Sequence, residues 1–316
     1  MLPKIVFLDR ATLTVPLRPL GLPHKWAEYP HSSPEEAIER LKDATVAITN
    51  KVVIDENILR HAPELKLVAV AATGYNIVDV AACKARSIAV CNVRDYALTG
   101  VTEHALMLML ALRRQLLAYR DRLQAGEWQQ SRTFYLTEPP LHDLAGSTLA
   151  IIGGGALGKG LAEIATALGM RVVFAEHNGA SAIRPGRLAF HDALTQADVV
   201  SLHCPLTPET RLLIGAEELA RMKPNAILIN TARGGIVDEA ALLAALQSGQ
   251  IAGAGVDVLS EEPPRNGNPL LAADLPNLIV TPHVAWASVE TVHKLAEQLI
   301  GNIESFLQDH PRNLVG

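Results

Sequence analysis

Three side chains suited to acid–base and anion chemistry each follow a short apolar run in the second half of the chain: Arg233, Glu262 and His283. Histidine can donate and accept a proton near neutral pH, and a neighbouring carboxylate orients the imidazole and favours its charged form. A guanidinium can hold a carboxylate through two hydrogen bonds. Taken singly, each of these residues is more often structural or solvated. The three together, on successive predicted strand ends, indicate an acid–base site.

A glycine-rich turn stands ahead of these residues in the chain. Gly153, Gly155 and Gly158 have the G-x-G-x-x-G spacing, follow the apolar run 149–152 and precede a helix-like stretch. In a dinucleotide site the first glycine permits the tight turn, the second lets the backbone approach a pyrophosphate, and the third lets helix and strand pack closely. Glu176 follows the next apolar run, about 20 residues further on, where an acid can accept hydrogen bonds from a ribose. A packing turn would tolerate the same glycines, but this order of elements favours a bound dinucleotide.

Together these features predict one kind of chemistry. A nicotinamide dinucleotide exchanges hydride with a carbonyl group, and a proton must then move at the carbonyl oxygen. The imidazole would supply that proton, and the guanidinium would bind and polarise a keto acid.

The alternation of apolar runs predicts an α/β fold with two doubly wound, parallel-sheet domains. In the first hundred residues, strands are predicted at 5–8, 45–49, 67–71 and 88–91, and helices at 34–41 and 78–86. From Ser147 onward, strands are predicted at 148–152, 171–175, 198–201, 226–230, 253–257 and 277–281, and helices at 156–168, 216–222 and 238–248.

Two longer helices are expected outside this alternation. One is predicted over 101–125, ending at Gly126, and its wide apolar face would pack either against a second subunit or inside its own chain. The other, 289–307, has one apolar face and lies beyond the last strand, so it can return to cover the first domain. We therefore expect an outer substrate domain of 1–99 and 286–316, and a Rossmann-type NAD-binding domain of 100–285 with 101–145 as a possible dimerisation segment.

Composition narrows the remaining function classes. The 316 residues are 49% hydrophobic and only 4% aromatic, enough for two cores built mainly from Ala, Val, Leu and Ile. The net charge is -5 and no block of basic residues runs along the chain, so no nucleic-acid partner is expected. Cys83, Cys91 and Cys204 are widely spaced, which favours reduced thiols in the cytoplasm and argues against a zinc site. The apolar stretch 105–112 is too short to span a bilayer, so no membrane partner is expected.

The motifs of the second domain resemble those of the D-isomer-specific 2-hydroxyacid dehydrogenases. They are G-G-G-A-L-G at 153–158, H-C-P-L-T-P-E-T at 203–210, N-T-A-R-G-G-I-V-D at 230–238, G-V-D-V at 255–258, S-E-E-P at 260–263 and T-P-H-V-A-W-A-S at 281–288. The first domain matches more loosely, through A-T-G-Y-N-I-V-D at 72–79 and V-T-E-H at 101–104. The A-W-A-S ending is most similar to the glycerate dehydrogenase, or hydroxypyruvate reductase, branch.

The resemblance implies a role for each matching residue. His283 would be the general acid and base, Glu262 rather than Glu261 its carboxylate partner, and Arg233 the group that binds the 2-keto acid. The other substrate-binding positions would be Trp286 and the backbone N–H groups around Thr73 and Gly74. The cofactor-binding positions would be Thr102, Gly153, Gly155, Ala156, Leu157, Gly158, Glu176, His203, Pro205, Thr210, Thr231, Ala232, Asp257 and His283. Among these, Asp257 would bind the nicotinamide carboxamide, and Thr102 would lie near that ring.

The implied activity is NAD-dependent reduction of a small 2-keto acid to a D-2-hydroxy acid, with hydroxypyruvate and glyoxylate as the expected substrates. The family fold has two domains that close over a cleft, and it usually forms homodimers. Phosphoglycerate dehydrogenase is an alternative within the family. An NAD-sensing, corepressor-like binding protein of the same fold is an alternative of another class, against which the presence of all three catalytic side chains argues.

Two residues depart from the family pattern. Glu176 stands where the NAD enzymes mostly carry Asp; it would repel a 2′-phosphate, which favours NAD over NADP. His177, Arg184 and Arg187 lie just downstream and could soften that preference. Trp286 would either shape the substrate pocket or pack at the domain hinge.

Overall fold

A computed structural model of the chain describes residues 2–316. They form two compact units, one made of the residues up to Ala97 together with Ala287–Gly316, and the other of Leu98–Trp286. Each unit is built on one sheet whose paired strands all run parallel, which confirms the predicted α/β fold with two parallel-sheet domains. Within residues 2–316, no helix is both long and apolar enough to cross a membrane.

The strands follow one another in two groups. In the first unit they are β1 Lys4–Phe7, β2 Lys25–Glu28, β3 Val46–Thr49, β4 Leu67–Val70 and β5 Ala89–Cys91, in the spatial order β2-β1-β3-β4-β5. In the second unit they are β6 Thr148–Ile152, β7 Arg171–Ala175, β8 Arg187–Leu188, β9 Val199–Leu202, β10 Ile227–Asn230, β11 Gly253–Val256 and β12 Leu278–Val280, in the order β12-β11-β10-β9-β6-β7-β8.

The helices connect and cover these strands. They are α1 Pro34–Leu41, α2 Glu56–Arg60, α3 Val80–Ala85, α4 Leu98–Arg113, α5 Leu116–Gln124, α6 Ala156–Ala167, α7 Phe190–Gln196, α8 Ala216–Arg221, α9 Glu239–Gln247, α10 Pro269–Ala272 and α11 Val289–Leu307. Local chemistry sets several ends: α1 begins at a capping box between Ser33 and Glu36, and the Asp238 carboxylate caps α9. In the first unit, α11 packs against β4.

The central strands of the second unit's seven-stranded sheet, β6, β9, β10 and β11, are buried on both faces. Along β6, Ala150 and Ile152 point into one apolar cluster, and Leu149 and Ile151 point into another that includes α4. This alternation follows from the two-residue period of a strand. Burial on both faces explains why the strands are nearly continuous apolar runs, and it leaves the strand ends as the place for polar side chains.

The prediction of a single helix over 101–125 is wrong. The chain forms α4 and α5 instead, separated at Gln115, whose backbone is left-handed at φ 53°. A left-handed residue cannot continue a right-handed helix, so the direction of the chain changes there. The expected end at Gly126 does hold, since α5 stops two residues earlier and Gly126 has φ 74°.

Candidate active site

Most of the expected site residues lie just beyond the carboxyl ends of the second unit's strands. In spatial order across the sheet they are His283 after β12, Asp257 after β11, Arg233 after β10, His203 after β9, Gly153 after β6 and Glu176 after β7. Because the strands are parallel, their carboxyl ends share one edge of the sheet. Ligands of open parallel sheets bind at this edge.

The glycine-rich turn between β6 and α6 has the geometry of a backbone cradle. Gly153 has φ 109°, and a Cβ there would stand 2.5 Å from the backbone of His203. A Cβ on Gly158 would stand 2.2 Å from the Gly153 carbonyl oxygen, so the start of α6 packs directly on the turn. Gly155 is the N-cap of α6 and faces open space, with no atom within 4 Å of a Cβ position. Ala156 is the first helical residue, so the free N–H groups of the helix start beside that space.

Two buried polar atoms at this edge of the sheet have no hydrogen-bond partner within residues 2–316: Thr231 Oγ1, after β10, and His203 Nδ1, after β9. The other ring nitrogen of His203, Nε2, lies 2.9 Å from Ser201 Oγ, and burial lowers the pKa of this imidazole to about 4. His203 is therefore neutral at physiological pH. Buried polar atoms are nearly always hydrogen-bonded, so unpartnered ones beside an open cradle fit a bound polar ligand. The cradle, the helix start and these atoms together fit a dinucleotide.

Glu176, which is expected to face a ribose, follows β7 and is paired with an arginine. Its carboxylate is buried and accepts a bidentate pair of hydrogen bonds from the Arg184 guanidinium, as well as the backbone N–H groups of His177 and Arg184. The Arg184 guanidinium holds the pKa of the Glu176 carboxyl well below its usual range. The carboxyl group therefore stays ionised, and both of its oxygens accept hydrogen bonds from the Arg184 guanidinium.

His283 and Glu262 form a direct pair. His283 Nδ1 lies 2.6 Å from Glu262 Oε2, while the other carboxylate oxygen accepts the Leu259 N–H at 2.9 Å. The pair leaves the Nε2 atom of the imidazole as the one facing away from the carboxylate. Glu261 instead accepts hydrogen bonds from the Asn266 side chain. The geometry thus pairs the histidine with the second glutamate of the S-E-E-P motif and not the first.

His283 sits in a strained backbone conformation that Asp257 supports. A φ of 55° is uncommon for a residue other than glycine. The His283 N–H donates to the Asp257 carbonyl, and the Asp257 carboxylate accepts the N–H groups of Val284 and Ala285, each at 2.9 Å. Asp257 is 1% exposed, so these donors take the place of water around its carboxylate. The observed contacts make Asp257 the anchor of the histidine loop, in addition to the carboxamide contact expected from sequence.

A second histidine joins this anchor, and sequence reasoning assigned it no role. The Thr281 hydroxyl donates to Asp257 Oδ1 at 2.5 Å, so its oxygen accepts from His104 Nε2 at 3.0 Å. His104 belongs to α4, far from Thr281 in sequence. The V-T-E-H motif was the available signal for His104, but nothing in it showed which strand end the imidazole would reach.

Arg233 is tied to the Glu262 loop through the glycine that follows it. The arginine is exposed, and its Nη1 donates to the Ala232 carbonyl at 2.7 Å. A Cβ on Gly234 would stand 1.8 Å from the Leu259 carbonyl oxygen, so the two loops are in backbone contact. Since the Leu259 N–H holds the Glu262 carboxylate, one continuous chain of contacts joins Arg233, Glu262 and His283.

The remaining expected residues have more varied surroundings. Thr210 donates to the Pro205 carbonyl at 2.6 Å, which closes the loop after His203. Thr102 is buried, its hydroxyl donates within α4, and its methyl group lies against Gly160 of α6, so its observed contacts are those of helix packing. Leu157 and Trp286 are half-buried and Ala232 is buried.

Thr73 and Gly74 belong to the first unit. The Thr73 carbonyl accepts from the Asn92 side chain at 2.7 Å, and its hydroxyl donates to the Val93 carbonyl at 2.8 Å. These two bonds fix the loop after β4, and within residues 2–316 the Thr73 and Gly74 N–H groups have no hydrogen-bond partner. Neighbouring free N–H groups are suited to binding an anion.

Known proteins resemble this chain over most or all of its length. The family model for the D-isomer specific 2-hydroxyacid dehydrogenase, NAD binding domain, matches residues 106–285. A glycerate dehydrogenase of Methylorubrum extorquens is 52% identical over 100% of this chain and 99% of its own length. A hydroxypyruvate reductase of Blautia hydrogenotrophica is 36% identical over 89% of this chain and 88% of its own. A crystal structure of a Thermus thermophilus protein matches with a TM-score of 0.84 at 32% identity, covering 99% of this chain and 100% of that one. The chain therefore belongs to the D-isomer specific 2-hydroxyacid dehydrogenase family.

Proposed function

We propose that this protein is a reductase that converts small 2-keto acids, hydroxypyruvate and glyoxylate first among them, to D-2-hydroxy acids with NADH. The observation that carries the proposal is the His283–Glu262 pair at 2.6 Å, at the sheet edge that also bears the glycine-rich turn. The names of the glycerate dehydrogenase and hydroxypyruvate reductase relatives support the choice of substrates.

The catalytic roles follow from what each side chain can do. Glu262 accepts a hydrogen bond from Nδ1–H of His283 and orients the imidazole, which leaves Nε2–H to protonate the carbonyl oxygen of the substrate. Arg233 binds the substrate carboxylate and draws charge toward the carbonyl oxygen. The backbone N–H groups of Thr73 and Gly74 are the proposed substrate-binding donors of the first unit.

A nicotinamide dinucleotide, when bound, supplies the hydride. The residues proposed to hold it are the glycines of the turn, with the start of α6 at its pyrophosphate, and the two unpartnered atoms of Thr231 and His203 as polar contacts. Asp257 has capacity on Oδ2 for one further donor, which suits the carboxamide of the nicotinamide.

We further propose that the protein is a cytoplasmic homodimer. Of the twenty large hydrophobic side chains that are exposed within residues 2–316, nine lie in the segment 98–141. Such a concentration is typical of a protein interface, and a second copy of the chain is the proposed partner. The free thiols of Cys83, Cys91 and Cys204 are compatible with a reducing compartment.

The experiment is a panel of kcat/KM values for hydroxypyruvate, glyoxylate, pyruvate and phosphohydroxypyruvate with NADH. We expect the first two to be the best substrates. A preference for phosphohydroxypyruvate would favour a phosphoglycerate dehydrogenase instead. Tight NADH binding without turnover of any of the four would favour the corepressor-like alternative.

A further inference from the structure

The cofactor edge of the second unit holds a charge arrangement that the proposed reaction does not require. Glu176, Arg184 and Arg187 meet where β7 ends, beside the glycine-rich turn. One carboxylate is flanked by two guanidinium groups, so this corner carries a net positive charge.

The acceptor capacity of Glu176 is fully used. Oε1 accepts the His177 N–H at 2.9 Å and an Nη2–H of Arg184, and Oε2 accepts Arg184 Nε–H at 2.6 Å and the Arg184 backbone N–H at 3.2 Å. A carboxylate offers about four lone-pair sites. A ribose diol can therefore donate to this acid only if the Arg184 guanidinium leaves it.

Arg184 is free to leave, whereas Arg187 is not. The Arg184 side chain is 53% accessible and, within residues 2–316, its guanidinium bonds to Glu176 alone. Its contacts use two of the five guanidinium N–H groups, which leaves three for a ligand. Arg187 is fixed by the Ala175 carbonyl at 2.8 Å and lies over the Phe174 ring.

Arg187 also faces the cofactor turn directly. Its Nη2 stands 2.6 Å from the position a Cβ on Gly154 would take, the middle glycine of the run 153–155. A phosphate group at this corner would meet Arg187 and the remaining N–H groups of Arg184. Arginine is well matched to phosphate because its planar fork offers paired donors.

We propose that Arg184 is a two-position switch that lets one site accept both NADH and NADPH. Over Glu176, it neutralises the acid and binds the 2′-phosphate of NADPH together with Arg187. Swung outward into solvent, it releases Glu176 to accept the ribose hydroxyls of NADH. This inference rests on the proposed function only in taking the glycine-rich turn as the dinucleotide site.

The test is equilibrium binding of NADH and NADPH without substrate, followed by the fluorescence of the reduced nicotinamide, so that no turnover is needed. For the parent protein we expect dissociation constants within about tenfold of each other, a difference of about 1.4 kcal/mol. Arg184→Gln should weaken NADPH binding by about tenfold or more, the loss expected for a charged hydrogen-bond donor, and leave NADH binding equal or tighter. Glu176→Gln should weaken NADH binding, because the ribose hydroxyls lose their carboxylate acceptor.

Arg221→Gln is the matched control, because Arg221 also pairs with a glutamate, Glu217, on the exposed surface of α8 in the same unit. It should change neither constant. Arg187→Gln serves as the second variant in case loss of Arg184 destabilises the fold, and it should also weaken NADPH selectively. A parent protein that binds NADPH more than a hundredfold weaker than NADH would overturn the proposal. So would an Arg184 variant that loses both cofactors equally or neither.

Failure of this inference and failure of the proposed function give different results. If the protein reduces keto acids with NADH but does not bind NADPH, the proposed role of Arg184 is wrong and the proposed reductase activity stands. Binding of both cofactors, altered selectively by Arg184→Gln, with no keto acid reduced, removes the reductase and leaves the switch.

Discussion

Replacing Gly234 with alanine should disable the site without touching any side chain that does chemistry. The new Cβ would stand 1.8 Å from the Leu259 carbonyl oxygen, about 1.6 Å short of the 3.4 Å at which ordinary contact begins. Both atoms belong to backbone, so one loop must move by a distance of that order. The loops carry Arg233 and Glu262, and a misplacement of about 1 Å can cost roughly 10²-fold in rate. We expect kcat/KM for hydroxypyruvate to fall by about that factor.

Stability should fall as well, because overpacking of this kind costs about 1–3 kcal/mol. For a unit of this size that corresponds to a loss of roughly 2–4 °C in Tm per kcal/mol. NADH binding should fall less than kcat/KM, since the turn around Gly155 is not involved. Gly215→Ala is the control: its Cβ would meet nothing closer than 3.5 Å. A Gly234→Ala protein with the parental kcat/KM would refute the argument that the two loops position each other.

Three further variants test other parts of the account. Glu262→Gln should lower kcat for hydroxypyruvate, because the His283 imidazole loses the carboxylate that orients it at 2.6 Å; a variant with the parental kcat would remove Glu262 from this role. His104→Gln should lower kcat more than it raises KM for the keto acid, because the loop of the general acid loses a support and the substrate loses no contact; equal effects on both parameters would contradict a positioning role. Arg18→Gln tests the first unit, where the ion pair with Arg18 lowers the pKa of Glu304 to about 2 from an ordinary value of 4.5. A carboxyl whose pKa is lowered by folding stabilises the fold at a pH above its unfolded-state pKa, and this contribution is lost as the pH falls. The difference in Tm between parent and variant should therefore be full at pH 7 and disappear between pH 4.5 and about 2. A constant difference down to pH 2 would show that the ion pair does not contribute.

Sequence was sufficient to predict the fold class and the longer elements, because buried parallel strands are continuous apolar runs. The elements it did not predict are β2, β8, α2, α7 and α10. β2 is only partly buried, β8 has two residues and α2 has five. α10 has four residues, and α7 buries Phe190, Ala193 and Leu194 at helical spacing but over only two turns. These elements are too short or too exposed for a period to stand out in the sequence.

The break between α4 and α5 had no sequence signal either. Gln115 lies among good helix formers, with neither glycine nor proline beside it. No local residue type accounts for its left-handed backbone, so helix propensity does not report the break.

The candidate site was predictable where it depends on strand ends and not where it depends on long-range contacts. Arg233, Glu262 and His283 follow from the positions of β10, β11 and β12. The contact of His104 with Thr281 joins α4 to β12 across 177 residues, and only the folded sheet brings the two together. The ion pair between Arg184 and Glu176 depends on the conformation of the irregular segment between β7 and β8, which no residue pattern predicts.

The most direct test of the central claim is the turnover number of His283→Ala with hydroxypyruvate at saturating NADH, measured together with the dissociation constant for NADH. Loss of the general acid predicts that kcat falls by roughly 10²–10⁴ while NADH still binds. A kcat equal to that of the parent protein would contradict the assignment of His283 as the proton donor.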